Sequence, residues 1–333
     1  MVAFLLVPAI PQMRALLPVE QTLLLLVPAI AACALVGWWA GGRSYLAIAW
    51  VAIAILATAG SAPAPGQAAF YNLTRGWGLL LAGAFGLICL FGGKRPLFSR
   101  ALIALALTLV LGLGMSLAGP LSPSGVTSTV SHELARRNTE SMGMLNTFIA
   151  KNADDWKQWS TKMPEVAQLP TETQKQLDGI AVWGAKLFPA LLALESLAAL
   201  ALAWALYHRL ARARLGAPMR PLRDFRFNDQ LVWGLIVGLT IVLLPNLASL
   251  HVVGGNLLLF FGALYAVRGF GVLSWLLTPR RLAVTFAIGF AMLWWPVLNA
   301  FAVLLFLLLG VAALALGLGD TWADWRHRPR PTN

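Results

Sequence analysis

Continuous apolar runs of membrane-spanning length recur along this 333-residue chain, and they constrain its fold more than any other feature. A helix of about 20 apolar residues crosses the hydrocarbon core of a bilayer and satisfies its own backbone hydrogen bonds there. Only 11% of the residues are charged, less than half of what a soluble domain carries. We therefore predict an all-α fold: a multi-pass transmembrane helical bundle of 8–9 spans with a small helical extramembrane insert.

The apolar runs predict four domain segments along the chain. Residues 1–18, interrupted by prolines and without the pattern of a cleaved signal peptide, are predicted to form an interfacial segment. The predicted segments are an N-terminal bundle half (1–119), an insert (120–178), a C-terminal bundle half (179–320) and a tail (321–333). The nine predicted spans are 21–40, 45–60, 77–92, 101–119, 180–206, 230–249, 254–276, 281–296 and 298–318.

Arginines and lysines predict which side of the membrane each loop faces. Six arginines lie between Arg209 and Arg226, and basic residues of short loops accumulate on the cytoplasmic side. With residues 207–229 inside and nine alternating spans, the inner segments hold fifteen basic residues and the opposite short segments hold two. This predicts a cytoplasmic C-terminus and extracytoplasmic residues 120–178. The net charge of +12 is then explained by topology and lipid contact, with no nucleic acid as a partner.

The same parity divides residues 282–318 into two spans. One helix of that length would measure about 55 Å and would separate the basic residues at 280–281 from those of the tail. A break at "WWPVLN" keeps both groups on one side, and Pro296 is suited to such a break.

The insert at 120–178 is polar, with seven acidic and six basic residues. Its apolar residues fall near one helical face, which predicts two or three amphipathic helices on the outer surface. Thr171 and Gln174 resemble a capping box at the start of a helix that continues into the span at 180. Capping the bundle and binding a protein partner are both open as roles for this insert.

Two charged residues lie inside predicted spans, where burial of charge is costly. Glu195 and Arg268 lie about 15 and 14 residues into spans that run in the same direction, so each is roughly 20 Å deep. Equal depth suggests that they pair or line one polar cavity. Alternatively, Arg268 extends towards lipid head groups, and Glu195 is protonated or bonded to a neighbouring helix.

A second polar set lies near the outer ends of the later spans. Broken helices beside asparagine or histidine build solute sites in some transporters, whereas such residues more often bond between helices. The chain has no constellation typical of an enzyme, and we predict no catalytic residue, no metal site and no cofactor. The aspartates of the tail, Asp320 and Asp324, are predicted to form an interfacial anchor. The candidate polar cavity therefore comprises Glu195, Arg268, Asn246, His251, Asn256 and Asn299.

The C-terminal half resembles the YybS-like family of bacterial membrane proteins over residues 185–328. The resemblance rests on a proline-containing span that ends in arginines, an asparagine-containing helix that reaches "YAVRG", and the tail "DTWADWR". It implies a multi-pass protein of the bacterial cytoplasmic (inner) membrane and supplies no catalytic residue. The matching positions are Pro189, Phe225, Phe227, Trp233, Asn256, Tyr265, Gly269, Asp320, Trp322, Asp324, Trp325 and Arg326.

Two functions are compatible with these patterns. The first is binding or transport of a small solute or a lipid through a polar cavity in the bundle. The alternative is a structural or interaction subunit of a larger membrane complex, which holds its partner through residues 120–178. The lipid bilayer is the expected environment in both cases.

Overall fold

The computed structural model of the chain describes residues 18–59, 66–93, 95–118, 123–211, 215–277, 279–293, 298–323 and 325. These residues form helices, turns and loops, with no β-strand among them. The chain divides into two units, Met1–Pro218 and Met219–Asn333. The helices of unit 1 are α1 (Val19–Trp39), α2 (Ser44–Ala59), α3 (Ala68–Phe91), α4 (Leu97–Ala118), α5 (Pro123–Lys151), α6 (Ala153–Lys162) and α7 (Pro164–Leu210). Those of unit 2 are α8 (Val232–Leu243), α9 (His251–Leu276), α10 (Pro279–Leu293) and α11 (Asn299–Ala323), with short 3-10 turns at Leu222–Asp224, Asp229–Leu231 and Pro245–Leu250.

Among the described residues, six helices are long and apolar enough to cross a membrane: α1, α3, α4, α7, α9 with the turn before it, and α11. The predicted count of 8–9 spans is not confirmed, because three predicted spans form shorter helices. α2, α8 and α10 have 16, 12 and 15 residues. At 1.5 Å per residue they measure about 18–24 Å, less than the hydrocarbon thickness.

The structure bears on the predicted sixth span of unit 2 and on the predicted pair of spans in residues 282–318. The predicted sixth span, 230–249, is broken because α8 ends at Leu243 and Pro245 begins a 3-10 turn. Residues 282–318 belong to two helices, α10 and α11, but only α11 is long enough to span, so two spans are not confirmed there. Residues 294–297, including Pro296, lie outside the described residues.

Unit 1 is built around α1, whose side chains are buried continuously from Leu24 to Ala34. α1 runs parallel to α3 and α7, as the predicted alternation of spans requires. Gly78 of α3 faces the Leu24 carbonyl so closely that a Cβ would lie 2.5 Å from its oxygen. At the other end of α1, Gly37 gives the same room to the Tyr207 ring of α7.

Three helices of unit 1 build the insert region. α5 and α6 are separate helices, and α7 continues without interruption for 47 residues from the insert into the apolar span. The expected passage of an insert helix into the span is thus confirmed. The predicted cap at Thr171 is wrong, because α7 begins seven residues earlier, with Pro164 at its first position. We call the end of unit 1 that carries α5 and α6 the insert end.

At the opposite end of unit 1, Arg100 is buried and holds a loop in place. Its guanidinium donates to the carbonyls of Gly93, Arg95 and Leu215 and lies over the Trp204 ring, 5.4 Å from the centroid. We call this the arginine end. Arg100, interpreted above only as a topology determinant, thus also joins α4 to the loop after α7.

Unit 2 is organised by the contact between α9 and α11. A Cβ at Gly269 would lie 1.6 Å from the Ala313 carbonyl oxygen, and one at Gly317 would lie 1.9 Å from that of Tyr265. Only glycine permits this approach, which is typical of small residues between membrane helices. Residues 265–269 therefore pair with 317–313, and the two helices are antiparallel.

This direction corrects the predicted topology. Nine alternating spans would make the seventh and ninth spans, 254–276 and 298–318, parallel. Because α9 and α11 are antiparallel, the 15-residue α10 does not serve as a full crossing between them. The cytoplasmic placement of the C-terminus loses the parity argument on which it rested.

Candidate functional site

A buried carboxylate in the apolar part of α7 is the centre of the candidate site. Glu195 is 4% exposed. Its Oε2 accepts a hydrogen bond from Gln21 Nε2 at 2.8 Å, and its Oε1 accepts one from Thr22 Oγ1 at 2.9 Å. Both donors are neutral and belong to the first turn of α1. Among the residues that the structure describes, no basic side chain forms an ion pair with Glu195.

Polar contacts extend from Glu195 to the neighbouring helix α3. Trp77 Nε1 donates to Ser196 Oγ at 2.9 Å, and that hydroxyl donates to the Leu192 carbonyl of its own helix. Gln21 is 2% exposed, and its Oε1 has no hydrogen-bond partner among the residues that the structure describes. α1, α3 and α7 thus enclose a strip of polar groups that contains one unsatisfied acceptor.

A charged cluster on α5 lies at the insert end of the same unit. Arg136 Nη2 and Arg137 Nε donate to Glu133 Oε1 at 2.7 and 2.8 Å, and Arg136 also bonds Glu140. Burial alone would raise the pKa of Glu133. The hydrogen bonds of the two arginines outweigh that effect and hold the pKa of this carboxyl below its usual range.

Arg137 connects this cluster to the buried site. Its guanidinium lies over the Phe70 ring of α3, 4.9 Å from the centroid, and that ring contacts Phe188 of α7 edge to face. Arg137 also interacts electrostatically with Glu20 and with Glu195. We call Glu133, Arg136 and Arg137 the α5 charge cluster. This cluster lies on the insert-end side of Glu195.

Unit 2 has its own buried charge, held in a different way. Arg268 Nε donates to Asp320 Oδ2 at 2.9 Å and Nη2 donates to the Asp320 carbonyl, which fixes α9 against α11. Nη1 donates to Asp229 Oδ1 at 2.5 Å. The guanidinium lies 5.4 Å from the Phe227 ring centroid, and Tyr265 packs on that ring edge to face.

The two charges predicted to pair lie in different units. Glu195 belongs to unit 1 and Arg268 to unit 2, and each has hydrogen-bond partners within its own unit. Their direct pairing stays a prediction. The alternative that Glu195 bonds a neighbouring helix matches its contacts with α1, whereas Arg268 is buried rather than extended towards head groups.

The second polar set lies in unit 2. Asn246 and His251 are exposed in the 3-10 turn and at the start of α9. Asn256 donates to the Val252 carbonyl of its own helix at 2.8 Å. Asn299 is the first residue of α11, and its side chain lies outside the described part of the chain. The convergence of this set on one polar cavity stays a prediction.

Several partners of the buried charges were not anticipated from the sequence. Gln21 and Thr22 sit at the start of the first apolar run, where a polar pair resembles a helix boundary. Asp320, predicted to anchor the tail at the interface, is buried against Arg268. Among the described residues, no group of three histidine, cysteine, aspartate or glutamate side chains could hold a metal ion.

These features define a helical membrane protein with polar groups buried between its spans. Residues 125–321 match the family described as "Predicted membrane protein (DUF2232)", and the chain belongs to that family. The matched range contains Glu195 and the whole Arg268 cluster, whereas Gln21 and Thr22 lie before it. No curated protein and no solved structure matches the chain.

Proposed function

We propose that the protein binds a small polar solute or a lipid head group in unit 1, between the α5 charge cluster and Glu195. The observation that supports this proposal is the buried carboxylate of Glu195, which has two neutral donors and no cationic partner within the described residues. A carboxylate without an ion-pair partner in a membrane helix is costly and is retained where it acts on a substrate or an ion.

The α5 charge cluster supplies the second half of the argument. Arg137 is largely buried beside Phe70, and its charge is felt by Glu195. A solute that enters from the insert end reaches the Arg137 guanidinium before the Glu195 carboxylate. Its acidic group would contact Arg137, and its basic or hydroxyl group would contact Glu195. Such opposed groups fix the orientation of a small ligand in an otherwise apolar environment.

Binding is tested on molecules that stay with the protein during purification. Wild type, Glu195→Leu and Arg137→Met are purified in mild detergent, and bound molecules are identified by native mass spectrometry and by extraction. We expect a molecule on the wild type whose occupancy falls about tenfold or more in both variants, since each loses a charge–polar contact.

Thr108→Val provides the matched control. Thr108 is equally buried in unit 1, but its hydroxyl bonds only the Ala104 carbonyl of its own helix. The control is expected to keep the bound molecule. The same set of bound molecules on all four proteins would contradict a site at Glu195.

Membrane orientation is part of the proposal. The arginine end of unit 1 carries Arg95, Arg100 and Arg209, and we place it on the cytoplasmic side of a bacterial inner membrane, with the insert outside. Cys33 and Cys89 are both buried, so single cysteines report accessibility. Ser160→Cys is expected to react with an impermeant maleimide on intact cells and Arg209→Cys only after lysis; the reverse pattern would invert the molecule.

A second candidate function is an interaction subunit, favoured by the exposed apolar side chains of the insert. Met144 and Phe148 on α5 and Trp159 on α6 are exposed. A photoreactive residue at 148 is expected to crosslink one protein in native membranes, whereas the same residue at Asp155 is not. Crosslinks to lipid alone at both positions would count against this function.

A further inference from the structure

The Glu195 site contains an acceptor that none of the described residues satisfies. Gln21 is 2% exposed, and its Oε1 has no partner in the described part of the chain, although Nε2 of the same amide bonds Glu195. Oε1 therefore belongs to the same amide group that bonds the carboxylate. A buried carbonyl oxygen without a donor costs about 1–3 kcal/mol. The same amide bonds a carboxylate that has no ion-pair partner among the described residues, and one bound species would explain both features.

A cation between the carboxylate and the amide oxygen satisfies both groups at once. The available ligands are all oxygens: the two of Glu195, Gln21 Oε1 and the Thr22 hydroxyl, whose lone pairs stay free while it donates to Glu195. Oxygen ligands are preferred by hard metal ions. One negative charge balances a monovalent ion, whereas Mg²⁺ and Ca²⁺ require six or more ligands and further carboxylates.

A proton accounts for less of the arrangement. It would neutralise Glu195 and give it a hydroxyl to donate to Gln21 Oε1, but only with the amide turned over. Nε2 would then lose its acceptor, so one unsatisfied group would replace another. The nearby charged groups on the other packed helices, Glu20 of α1 and Arg137 of α5, are present in both cases.

We propose that Glu195, Gln21 and Thr22 form a binding site for a monovalent metal ion of the size of Na⁺. The proposal rests on the proposed function, since it names the ion that would accompany a solute at that site. Coordination of Na⁺ near broken or polar helix segments at membrane depth is the arrangement by which ions are coupled to solutes in transporters. Pro189, six residues before Glu195, interrupts the helix hydrogen bonds of α7 there.

The test uses the full chain in detergent with no solute added. The unfolding midpoint is measured while NaCl replaces choline chloride at constant ionic strength. We expect a saturable rise of about 3 °C in the wild type at tenfold excess over the dissociation constant. Glu195→Gln is expected to abolish the rise, because it removes the charge and keeps the shape.

Gln21→Leu separates an ion site from a structural role. It removes the unsatisfied acceptor and also the Nε2 donor to Glu195, two effects of opposite sign, so its midpoint in choline chloride is expected to lie close to that of the wild type. In NaCl it is expected to gain nothing. The matched control is Thr74→Val on α3, which removes a buried hydroxyl bonded only to its own helix and is expected to keep the full rise.

Each alternative outcome overturns the ion site. A midpoint that follows pH and ignores Na⁺ would assign the site to a proton, and a rise that survives in Glu195→Gln would place the ion elsewhere. No response to Na⁺ in the wild type would leave only a bridging water. These outcomes are independent of the retained molecules, so the ion site and the solute site are tested separately.

Discussion

Glu195 and Arg268 are both buried charges in apolar helices, but their environments differ in kind. Arg268 meets two carboxylates, a carbonyl and an aromatic face, so all its charge is compensated within unit 2. Glu195 meets one amide and one hydroxyl, and an acceptor beside it stays empty. A compensated charge can serve as a structural clamp, whereas an uncompensated one has capacity for a ligand.

The comparison also separates the two charges by chain position. Every partner of Arg268 lies within the 125–321 range that matches the family, and the clamp joins α9, α11 and the loop before α8. The donors to Glu195 come from α1, before that range. The clamp is thus contained in the matched segment. The proposed site instead joins α7, which lies in that segment, with α1, which precedes it.

The largest expected effect is that of removing the clamp. Arg268→Met leaves the fully buried Asp320 without its cation, which costs about 3–5 kcal/mol. We expect a large loss of unfolding free energy in detergent. Arg281→Met, at an exposed position of α10, serves as the control. An effect below about 1 kcal/mol would show that Arg268 is as weakly held as a surface charge.

The two carboxylates of the clamp are expected to contribute unequally. Asp320 is 0% exposed and Asp229 is 57% exposed, so solvent screens only the second pair. Asp320→Asn is expected to cost about 2–3 kcal/mol and Asp229→Asn about 0–1 kcal/mol. Chemical unfolding of the two variants side by side measures the difference, and equal costs would contradict the assignment of Asp320 as the main partner.

Acid is expected to weaken the insert end through Glu133. Its pKa in the folded protein lies below that of the unfolded chain, so its contribution is complete above the ordinary carboxyl range and disappears as pH falls through the lowered pKa. Glu133→Gln is expected to cost about 1 kcal/mol at neutral pH and to flatten the acid limb of a stability–pH curve. Glu172→Gln on exposed α7 is the control, and an unchanged acid limb would refute the assignment.

The smallest expected effect is that of neutralising Glu195. Glu195→Gln keeps an acceptor for Thr22 and, with the Gln21 amide turned over, gives Gln21 Oε1 a donor while its Nε2 loses its acceptor. The number of unsatisfied groups is therefore unchanged, and the cost of a buried charge disappears. In salt without Na⁺ we expect its unfolding free energy to lie within about 0.5 kcal/mol of the wild type. A loss as large as that of Arg268→Met would make Glu195 a structural clamp too, and the contrast between the two charges would end.

Apolar run length predicted the six long spans, because a hydrophobic stretch alone determines that a helix can cross. It did not predict the breaks at Pro245 or the short α10, since a 15-residue apolar stretch has the same composition whether it crosses fully or partly. The parity argument counted the α10 stretch as a full crossing and therefore predicted that α9 and α11 run in the same direction.

The sequence predicted the buried charges of the candidate site but not their partners. Glu195 and Arg268 stand out because charge is rare in apolar runs, but the sequence does not state which helices lie beside them. Asp320 was assigned to the interface by its position near the end of α11. It is buried because Gly269 and Gly317 let the two helices approach until their backbones touch, and such approach depends on the tertiary arrangement.

The continuous α7 has a mechanical consequence. Its 47 residues measure about 70 Å, so one rod joins the insert to the arginine end. Bending concentrates where Pro189 removes a backbone hydrogen bond, six residues before Glu195. A force that tilts the insert would therefore bend α7 at Pro189. Its first effect would be to separate the Glu195 carboxylate from the Gln21 amide of α1.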